Sequence, residues 1–318
     1  MSKRPIVKIL KIMLPILLGV FLIWYSLSKI SLTGLLQHFK EANYWYILLG
    51  VIFGLLSHLS RAYRWLFMLE PMGYKVKLGN SIMAVFAAYL INYTIPRAGE
   101  VARATILTNY ENVPFQKGFG TIVAERVADF IVMLFIIALT LVIQFEFIFN
   151  FFLQKFNLIK ILTALLIVLI IAITAIVMIK KSQSKIAIKI KDFIKGLIEG
   201  ALSIFKMKKK WAFIFHTLFI WTMYVLMFYV TTFAIKDLGN VSFGAVLVGF
   251  ILATFSIAAT NGGIGSYPEA IVIAFTLFAL PEDPSRAFGW IMWTSQTVLI
   301  FVLGGLSLLY LPFFNRNK

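Results

Sequence analysis

The chain has 318 residues, of which 61% are hydrophobic and 14% are charged, and its mean hydropathy is +0.91. Soluble domains are about 45–50% apolar and about 25% charged, so this composition excludes a soluble globular protein. The net charge of +17 would suit a nucleic-acid-binding protein, but the basic residues flank apolar segments long enough to cross a bilayer, which indicates membrane topology and no nucleic-acid partner.

The apolar segments predict an all-α, polytopic integral membrane protein with about six full spans and two broken, re-entrant helical hairpins. Each segment is continuously apolar, unlike the alternating pattern of a membrane β-barrel. In chain order, the predicted spans are Ile12–Leu27, Tyr44–Ser60, Phe119–Phe145, Leu158–Ile179, Trp211–Ile235 and Phe288–Leu311.

The first predicted hairpin begins with an apolar stretch at Ser81 that a proline, a glycine and three charges interrupt. Charges at membrane depth are costly and persist where they face a cavity, a partner or a substrate. A broken backbone is tolerated there only if it is buried in protein or lines water. We interpret Pro96 and Gly99 as the break. The predicted headgroup-binding residues of this hairpin are Asn92, Arg97, Glu100 and Arg103.

The second predicted hairpin follows the apolar stretch Phe243–Ala259. Glycine permits backbone conformations and close approaches that other residues resist. The residues that predict this break are Gly262, Gly263, Gly265 and Pro268. Asn261 and Glu269 are its candidate headgroup-binding residues, because both lie where a membrane protein otherwise avoids polar side chains.

The two breaks lie 169 positions apart, since Asn92 corresponds to Asn261 and Glu100 to Glu269. The same shift places the second predicted span on the fifth and the third on the last. The halves, about 1–150 and about 151–318, would each hold three full spans and one hairpin, so the second would be inverted. We predict one transmembrane domain over 1–318, built as an inverted repeat whose hairpin tips approach each other from opposite sides.

Further charged residues form a predicted supporting network around the first hairpin. Glu125, Arg126 and Asp129 open the third span, where i, i+4 spacing places both carboxylates on one helix face. We expect them to position the arginines of the hairpin. Arg61 and Arg64 lie beside an aromatic residue, which favours anchoring at the membrane interface over ligand binding. An ion-pair network that only pins the hairpin is the alternative for all these charges.

The segment 180–210 holds ten lysines and only two acidic residues, with apolar residues at helical spacing. This pattern predicts a basic amphipathic helix on the cytoplasmic membrane surface, in contact with anionic lipid headgroups. Lysine and arginine are concentrated in alternate connections. Their distribution predicts a multi-pass protein of the cell (inner) membrane with both termini in the cytoplasm.

Four motifs occur in order along the chain: Arg-x-x-Arg-Trp at 61–65, Pro-Arg-x-Gly-Glu-x-x-Arg at 96–103, Glu-Arg-x-x-Asp at 125–129 and Gly-Gly-x-Gly-x-x-x-Glu at 262–269. With them the chain resembles the flippase-like transmembrane region of lysylphosphatidylglycerol synthases and its stand-alone relatives. The resemblance implies a membrane protein that moves a lipid, or a lipid-linked group, between leaflets. The synthases make their lipid in an additional aminoacyltransferase domain, which this sequence lacks, so we do not expect synthase activity.

These observations lead us to expect a transporter of an anionic or zwitterionic lipid headgroup and not an enzyme. There is no cysteine and no Walker motif, and the three histidines are scattered, so we expect no metal and no cofactor. Two alternatives stay open. One is an intramembrane lipid-modifying transferase with Glu100 or Glu125 as the base, and the other is a non-catalytic partner subunit of a lipid-synthesis enzyme.

Overall fold

The structure, a computed structural model, describes residues 21–95, 97–155, 207–260 and 262–316, together with scattered positions at 17, 19 and between 163 and 191. Every regular element in these ranges is a helix, which confirms the predicted all-α membrane protein. Residues 21–29 are helical, and Glu70–Met72 and Lys236–Leu238 are 3-10 turns. The other helices are α1 Leu32–Glu41, α2 Tyr44–Leu69, α3 Leu78–Thr94, α4 Ala98–Glu111, α5 Phe115–Ile143, α6 Phe145–Lys155, α7 Lys210–Thr232, α8 Phe243–Ala259, α9 Ser266–Thr276 and α10 Glu282–Phe314.

Four of these helices, α2, α5, α7 and α10, are long and apolar enough to cross a membrane. They hold 23 to 33 residues. At 1.5 Å per residue they are about 35–50 Å long, and the apolar core of a bilayer is about 30 Å thick. The predicted spans 12–27 and 158–179 lie mostly outside the described residues, so the number of six spans stays a prediction.

The first predicted hairpin is formed by α3 and α4, which pack against each other. Asn80 on α3 donates from Nδ2 to Oε1 of Glu111 at the end of α4, over 2.6 Å. At the opposite end of the pair, the Gly99 N–H donates to Oδ1 of Asn92 over 2.7 Å. The chain therefore leaves and returns on the same side. With 17 and 14 residues, the arms are about 26 Å and 21 Å long, too short to cross the apolar core.

The second hairpin has the same construction from α8 and α9, with arms of 17 and 11 residues. The hydroxyls of Thr260 and Ser266 hydrogen-bond across its tip at 2.8 Å. Farther along, a Cβ at Gly249 would lie 2.8 Å from the ring of Phe275, so the arms are in close contact. Both interrupted stretches thus fold back on themselves instead of continuing across the membrane.

Helix α10 is the element on which both hairpins pack. It contacts α3 and α9, and also α1 and α2. Gly304 of α10 meets the backbone oxygen of Phe86 on α3, at 2.8 Å from an ideal Cβ, and Gly289 meets Pro268 of α9 at 2.5 Å. Small residues at these crossings let the helix backbones approach closely, which is how membrane helices gain packing energy where there is no hydrophobic driving force.

Helices α2 and α7 lie antiparallel along one another. Gly50 of α2 faces Thr231 of α7, and Gly54 faces Met227 one turn further on. Near the other end, Arg64 donates from NH1 to Oγ1 of Thr217 over 2.8 Å. Each step forward on α2 is therefore matched by one step back on α7.

Two segments expected as connections are helical. Residues 146–157 were expected to form a loop, but α6 occupies most of this range. The last long helix was expected to begin at Phe288, whereas α10 begins at Glu282. The earlier start has a local cause: Pro281 precedes the helix, and Glu282 and Asp283 in its first turn interact favourably with the helix dipole.

The chain divides into two compact units, residues 1–123 with 211–318, and residues 124–210. The second unit contains most of α5 and α6, which are separated by a turn at Gln144. The basic helix expected over 180–210 lies mostly outside the described residues, and in the part that is described Lys191 donates from Nζ to the backbone oxygen of Ser182. The predicted single domain stays a prediction.

Candidate functional site

The tips of the two hairpins touch. A Cβ at Gly262, in the second break, would lie 2.7 Å from the ring of Tyr93 at the end of α3. Both tips are also bound to α10: the Tyr93 hydroxyl and Oγ1 of Thr297 are 3.0 Å apart, and the Trp293 indole N–H donates to the Gly262 backbone oxygen over 2.8 Å. The two segments that interrupt the apolar sequence therefore meet at one place.

The first tip turns through Arg97, which has a left-handed backbone conformation with φ of 61°. Its side chain is exposed. The side chain of Asn92 accepts the N–H of Gly99 and so satisfies one of the free amides in the first turn of α4. Asn92 was expected to bind the headgroup, and Gly99 was expected to break the helix. The structure gives both residues a structural part in closing the tip, with Gly99 inside α4. Pro96 lies outside the described residues.

The second tip turns through three glycines with positive φ: Gly262, Gly263 and Gly265. This confirms them as the break. At Gly265, with φ of 69°, a Cβ would also lie 2.5 Å from the backbone nitrogen of Ile23, so glycine is required both for conformation and for space. Pro268 was expected to belong to the break, but it lies in the first turn of α9, where its missing N–H costs no helical hydrogen bond. Asn261 lies outside the described residues.

Arg103 lies on the face of α4 that packs towards α2. Only 4% of its surface is exposed. Its guanidinium carbon lies 3.8 Å from the centre of the Trp65 ring, and the indole N–H of Trp65 donates to Oγ1 of Thr121 over 2.8 Å. A desolvated cation on an aromatic face gains about 2 kcal/mol. The planar guanidinium is thereby held in a defined orientation.

The neighbouring arginines of α2 are buried as well. Arg64 is fully buried, with its guanidinium carbon 5.2 Å from the centre of the Phe213 ring, and Arg61 is 4% exposed. The interpretation of these residues as surface anchors is wrong, because α2 continues as a helix past both of them to Leu69 and turns them into the protein. Together with Arg103 they make a buried group of three arginines.

The carboxylate of the second hairpin has a partner that the sequence interpretation missed. Oε1 of Glu269 accepts from Nε of Arg286 over 2.9 Å, and the two side chains are 14% and 3% exposed. NH1 of Arg286 also lies 3.5 Å from Asp283 at the exposed start of α10. Arg286 was placed in a polar connection because the beginning of α10 was predicted too late. A signal was present, since it is the sole basic residue between Lys236 and Arg316.

The remaining predicted residues fall into different environments. Glu100, in the first turn of α4, is half-buried. In the second unit, Glu125 and Asp129 are 1% and 6% exposed on one face of α5, and Arg126 is exposed. The shared face of the two carboxylates is as expected. Their proposed part in positioning the arginines of the first hairpin stays a prediction.

A polar cluster at the base of the first hairpin was also missed. Asn80 donates from Nδ2 to Oδ1 of Asn315 over 2.9 Å, and Asn315 donates back from its own Nδ2 to Oδ1 of Asn80 over 2.8 Å. Glu111 accepts both from Asn80 and from the backbone of Lys77. These bonds tie the hairpin to the end of α10, so the ends of the hairpin arms are held as well as its tip.

Residues 12–315 match the protein family described as the lysylphosphatidylglycerol synthase TM region. A UPF0104 membrane protein of Methanocaldococcus jannaschii is 28% identical over 132 residues, which are 41% of this chain and 39% of that protein. Glycosyltransferase AglD of Haloferax volcanii is 34% identical over 70 residues, 22% of this chain and 11% of that protein. The match to both relatives thus covers well under half of their length. The family match extends over nearly the whole chain, and with its long apolar helices the protein is a multi-pass membrane protein that belongs to the lysylphosphatidylglycerol synthase transmembrane-region family.

Proposed function

We propose that this protein is a flippase-like lipid transporter, which moves an anionic or zwitterionic headgroup, or a lipid-linked group, across the inner membrane. The observation that carries the proposal is the contact between the two hairpin tips at Tyr93 and Gly262. Paired interrupted helices in two halves of a membrane protein mark the substrate site of many transporters, because such backbone is tolerated only around a cavity or a bound group.

The charges of the two hairpins suggest how a headgroup would be held. Arg103 supplies a preoriented guanidinium on the first hairpin, and the guanidinium fork suits phosphate oxygens. Arg97 and Glu100 stand at the start of α4, where the helix dipole favours an anion. On the second hairpin, the proposed contribution is the exchangeable Glu269–Arg286 pair, whose carboxylate would receive the amine of a zwitterionic lipid.

The packing of α2 on α7 supports the proposed inverted repeat. Their antiparallel register, from Gly50 opposite Thr231 to Arg64 near Thr217, brings Leu56 level with Val225. These two positions are 169 residues apart, the same offset that relates the two breaks. A pseudo-twofold axis in the membrane plane would pass through equivalent positions of two antiparallel helices in this way.

The remaining parts of the proposal concern location and chemistry. We place both termini in the cytoplasm, with the lysines of 180–210 on anionic headgroups and a lipid-synthesis enzyme as a possible neighbour that supplies the substrate. Transport would draw on an ion gradient or on the lipid gradient itself. The protein would act without chemical change of the lipid, so the headgroup recovered after transport is the headgroup supplied.

Purified protein in liposomes with fluorescent phospholipids tests the proposal. We expect inward movement of at least one anionic or zwitterionic lipid, and a reduction of about tenfold or more in Arg103→Gln and in Glu100→Gln, since a charge-assisted hydrogen bond contributes about 1.5–3 kcal/mol. The matched controls are Arg316→Gln and Glu41→Gln, whose side chains are exposed at the end of α10 and on α1. Both controls should transport as the unaltered protein does.

The outcomes separate the three functions. Transport that is unchanged in both site variants would contradict the assignment of the site. If no lipid moves with any headgroup tried, the transport proposal fails. A chemically altered headgroup, detected by mass spectrometry of the extracted lipid, would establish the transferase instead. Activity that depends on an added lipid-synthesis enzyme would establish the partner subunit.

A further inference from the structure

A second polar cluster lies inside the first unit, at a distance along α2 from the buried arginines. His58 of α2 is 6% exposed. Its ring is surrounded by three others: Tyr89 with ring centres 4.7 Å apart, Phe86 at 5.7 Å and Tyr224 at 6.1 Å. One turn before His58 on the same face of α2, Gly54 leaves room for the side-chain amide of Gln296 from α10, which lies directly against it.

Three buried polar atoms of this cluster have no hydrogen-bond partner among the described residues. They are Nδ1 of His58, Nε2 of Gln296 and Nε1 of Trp221. The Trp221 ring contacts that of Tyr224, at 6.1 Å between centres, and is 9% exposed. Buried donors are almost always paired, and an unpaired one costs about 1–3 kcal/mol, so three in one neighbourhood indicate that a bound group supplies the acceptors.

The chemistry of these atoms defines the class of that group. The amide and indole N–H groups are donors only, and a neutral imidazole nitrogen is a donor or an acceptor according to its tautomer. No carboxylate belongs to the cluster as described, so nothing there would select a cation. Rings of tyrosine, phenylalanine and tryptophan offer flat apolar faces beside the donors. Such a surface fits a neutral group that carries hydroxyls on a carbon skeleton.

We propose that His58, Gln296 and Trp221 form a binding site for the hydroxyl groups of a lipid headgroup, such as a glycerol or glycosyl moiety. This inference rests on the proposed transport of lipids and narrows its substrate class. The arginines would take the phosphate, and this cluster would recognise what the phosphate carries. A headgroup without hydroxyls would leave the three donors unpaired.

The test compares two lipids that differ only in hydroxyls: phosphatidylglycerol and phosphatidylpropanol with the same acyl chains and the same charge. Binding to the purified full chain is measured by thermophoresis in a detergent that contains no sugar. We expect phosphatidylglycerol to bind about tenfold more tightly, the effect of one or two additional hydrogen bonds. In Gln296→Leu and in Trp221→Phe the preference should shrink to about twofold or less.

The controls use the same residue types elsewhere. Gln37→Leu and His38→Phe, both on α1, should keep the full preference. Gln296→Leu and His58→Phe should melt at the same temperature as the unaltered protein or higher, because each removes a buried polar atom that lacks a protein partner. A lower melting temperature with the lipid preference intact would overturn the proposal, since these side chains would then serve stability alone.

Three further results would overturn it. One is equal affinity of the unaltered protein for the two lipids, and another is a preference that survives in every site variant. The third is tight binding of free glycerol or methyl glucoside in place of the lipid, which would make the ligand a soluble polyol. Binding is measured without transport. Liposomes that move both lipids equally would refute this inference and leave the transport proposal standing.

Discussion

The two hairpins have the same construction but are closed by different means. In the first, the turn passes through an arginine with positive φ, and an asparagine side chain holds the first turn of the returning helix. In the second, three glycines make the turn and a hydroxyl pair joins the arms. The first hairpin has its buried arginine stacked on α2, and the second has its carboxylate paired with an arginine of α10. One backbone plan thus carries opposite charges to opposite neighbours.

The difference shows which side chains are available for function. A tip made of glycines presents backbone and packs closely on its neighbours, as Gly265 does on residues 22–23. A tip made of Asn92 and Arg97 keeps a flexible charged side chain at the surface. We therefore expect changes in the second tip to affect folding most, and changes in the first to affect function most.

Gly265→Val should produce the largest effect. Its positive φ and the nearby backbone of Ile23 leave no place for a branched side chain. The free energy of unfolding should fall by about 4 kcal/mol, the sum of a left-handed backbone penalty and overpacking. Unfolding in mixed detergent micelles measures this. The control is Gly305→Ala in α10, where a Cβ meets nothing within 4 Å. Equal stability of the two variants would show that the second tip is not closely packed.

Glu269→Gln should come next, with a loss of about 3 kcal/mol, because it leaves the buried Arg286 without its closest carboxylate. The double variant Glu269→Leu with Arg286→Met should recover most of this loss, since it removes both charges together. The same unfolding assay compares the two. If the double variant is as unstable as the single one, the contribution of the pair to stability is packing and not charge.

Asn92→Ala tests the polar closure of the first tip. Removal of the bond to the Gly99 N–H should lower the free energy of unfolding by about 1 kcal/mol, the usual cost of losing a helix cap. Thr260→Val in the second tip removes the hydroxyl pair with Ser266 and should cost less, since Ser266 is also 3.4 Å from the Ser256 backbone oxygen. A larger loss in Thr260→Val would reverse the comparison between the tips.

Arg97→Gly should have the smallest effect on stability, and with the opposite sign. Glycine adopts the φ of 61° without strain, so the variant should be more stable by about 1 kcal/mol or less. Its transport in liposomes should nevertheless decrease if the exposed guanidinium binds the headgroup. A variant that is more stable and equally active would assign Arg97 to the turn alone.

Hydrophobic pattern and residue type predicted much of this fold. The four long helices, both interruptions and the antiparallel hairpins follow from runs of apolar residues and from glycine, because a bilayer admits little else. The glycines of the second break were identified correctly on the same grounds. Errors of a few residues arose at helix ends, as at Glu282, where caps and helix dipoles extend a helix beyond its apolar part.

By itself, the sequence determined a multi-pass helical membrane protein with two charged interruptions 169 residues apart. Only the tertiary structure decided which charges meet. Arg286 is 17 residues from Glu269 along the chain and bonded to it in space, and Arg103 reaches Trp65 across two helices. The same holds for His58 and Gln296, which come together only because Gly54 lets α10 approach α2. Periodicity records which face of a helix is apolar, but the partner of a buried polar group depends on how the helices pack.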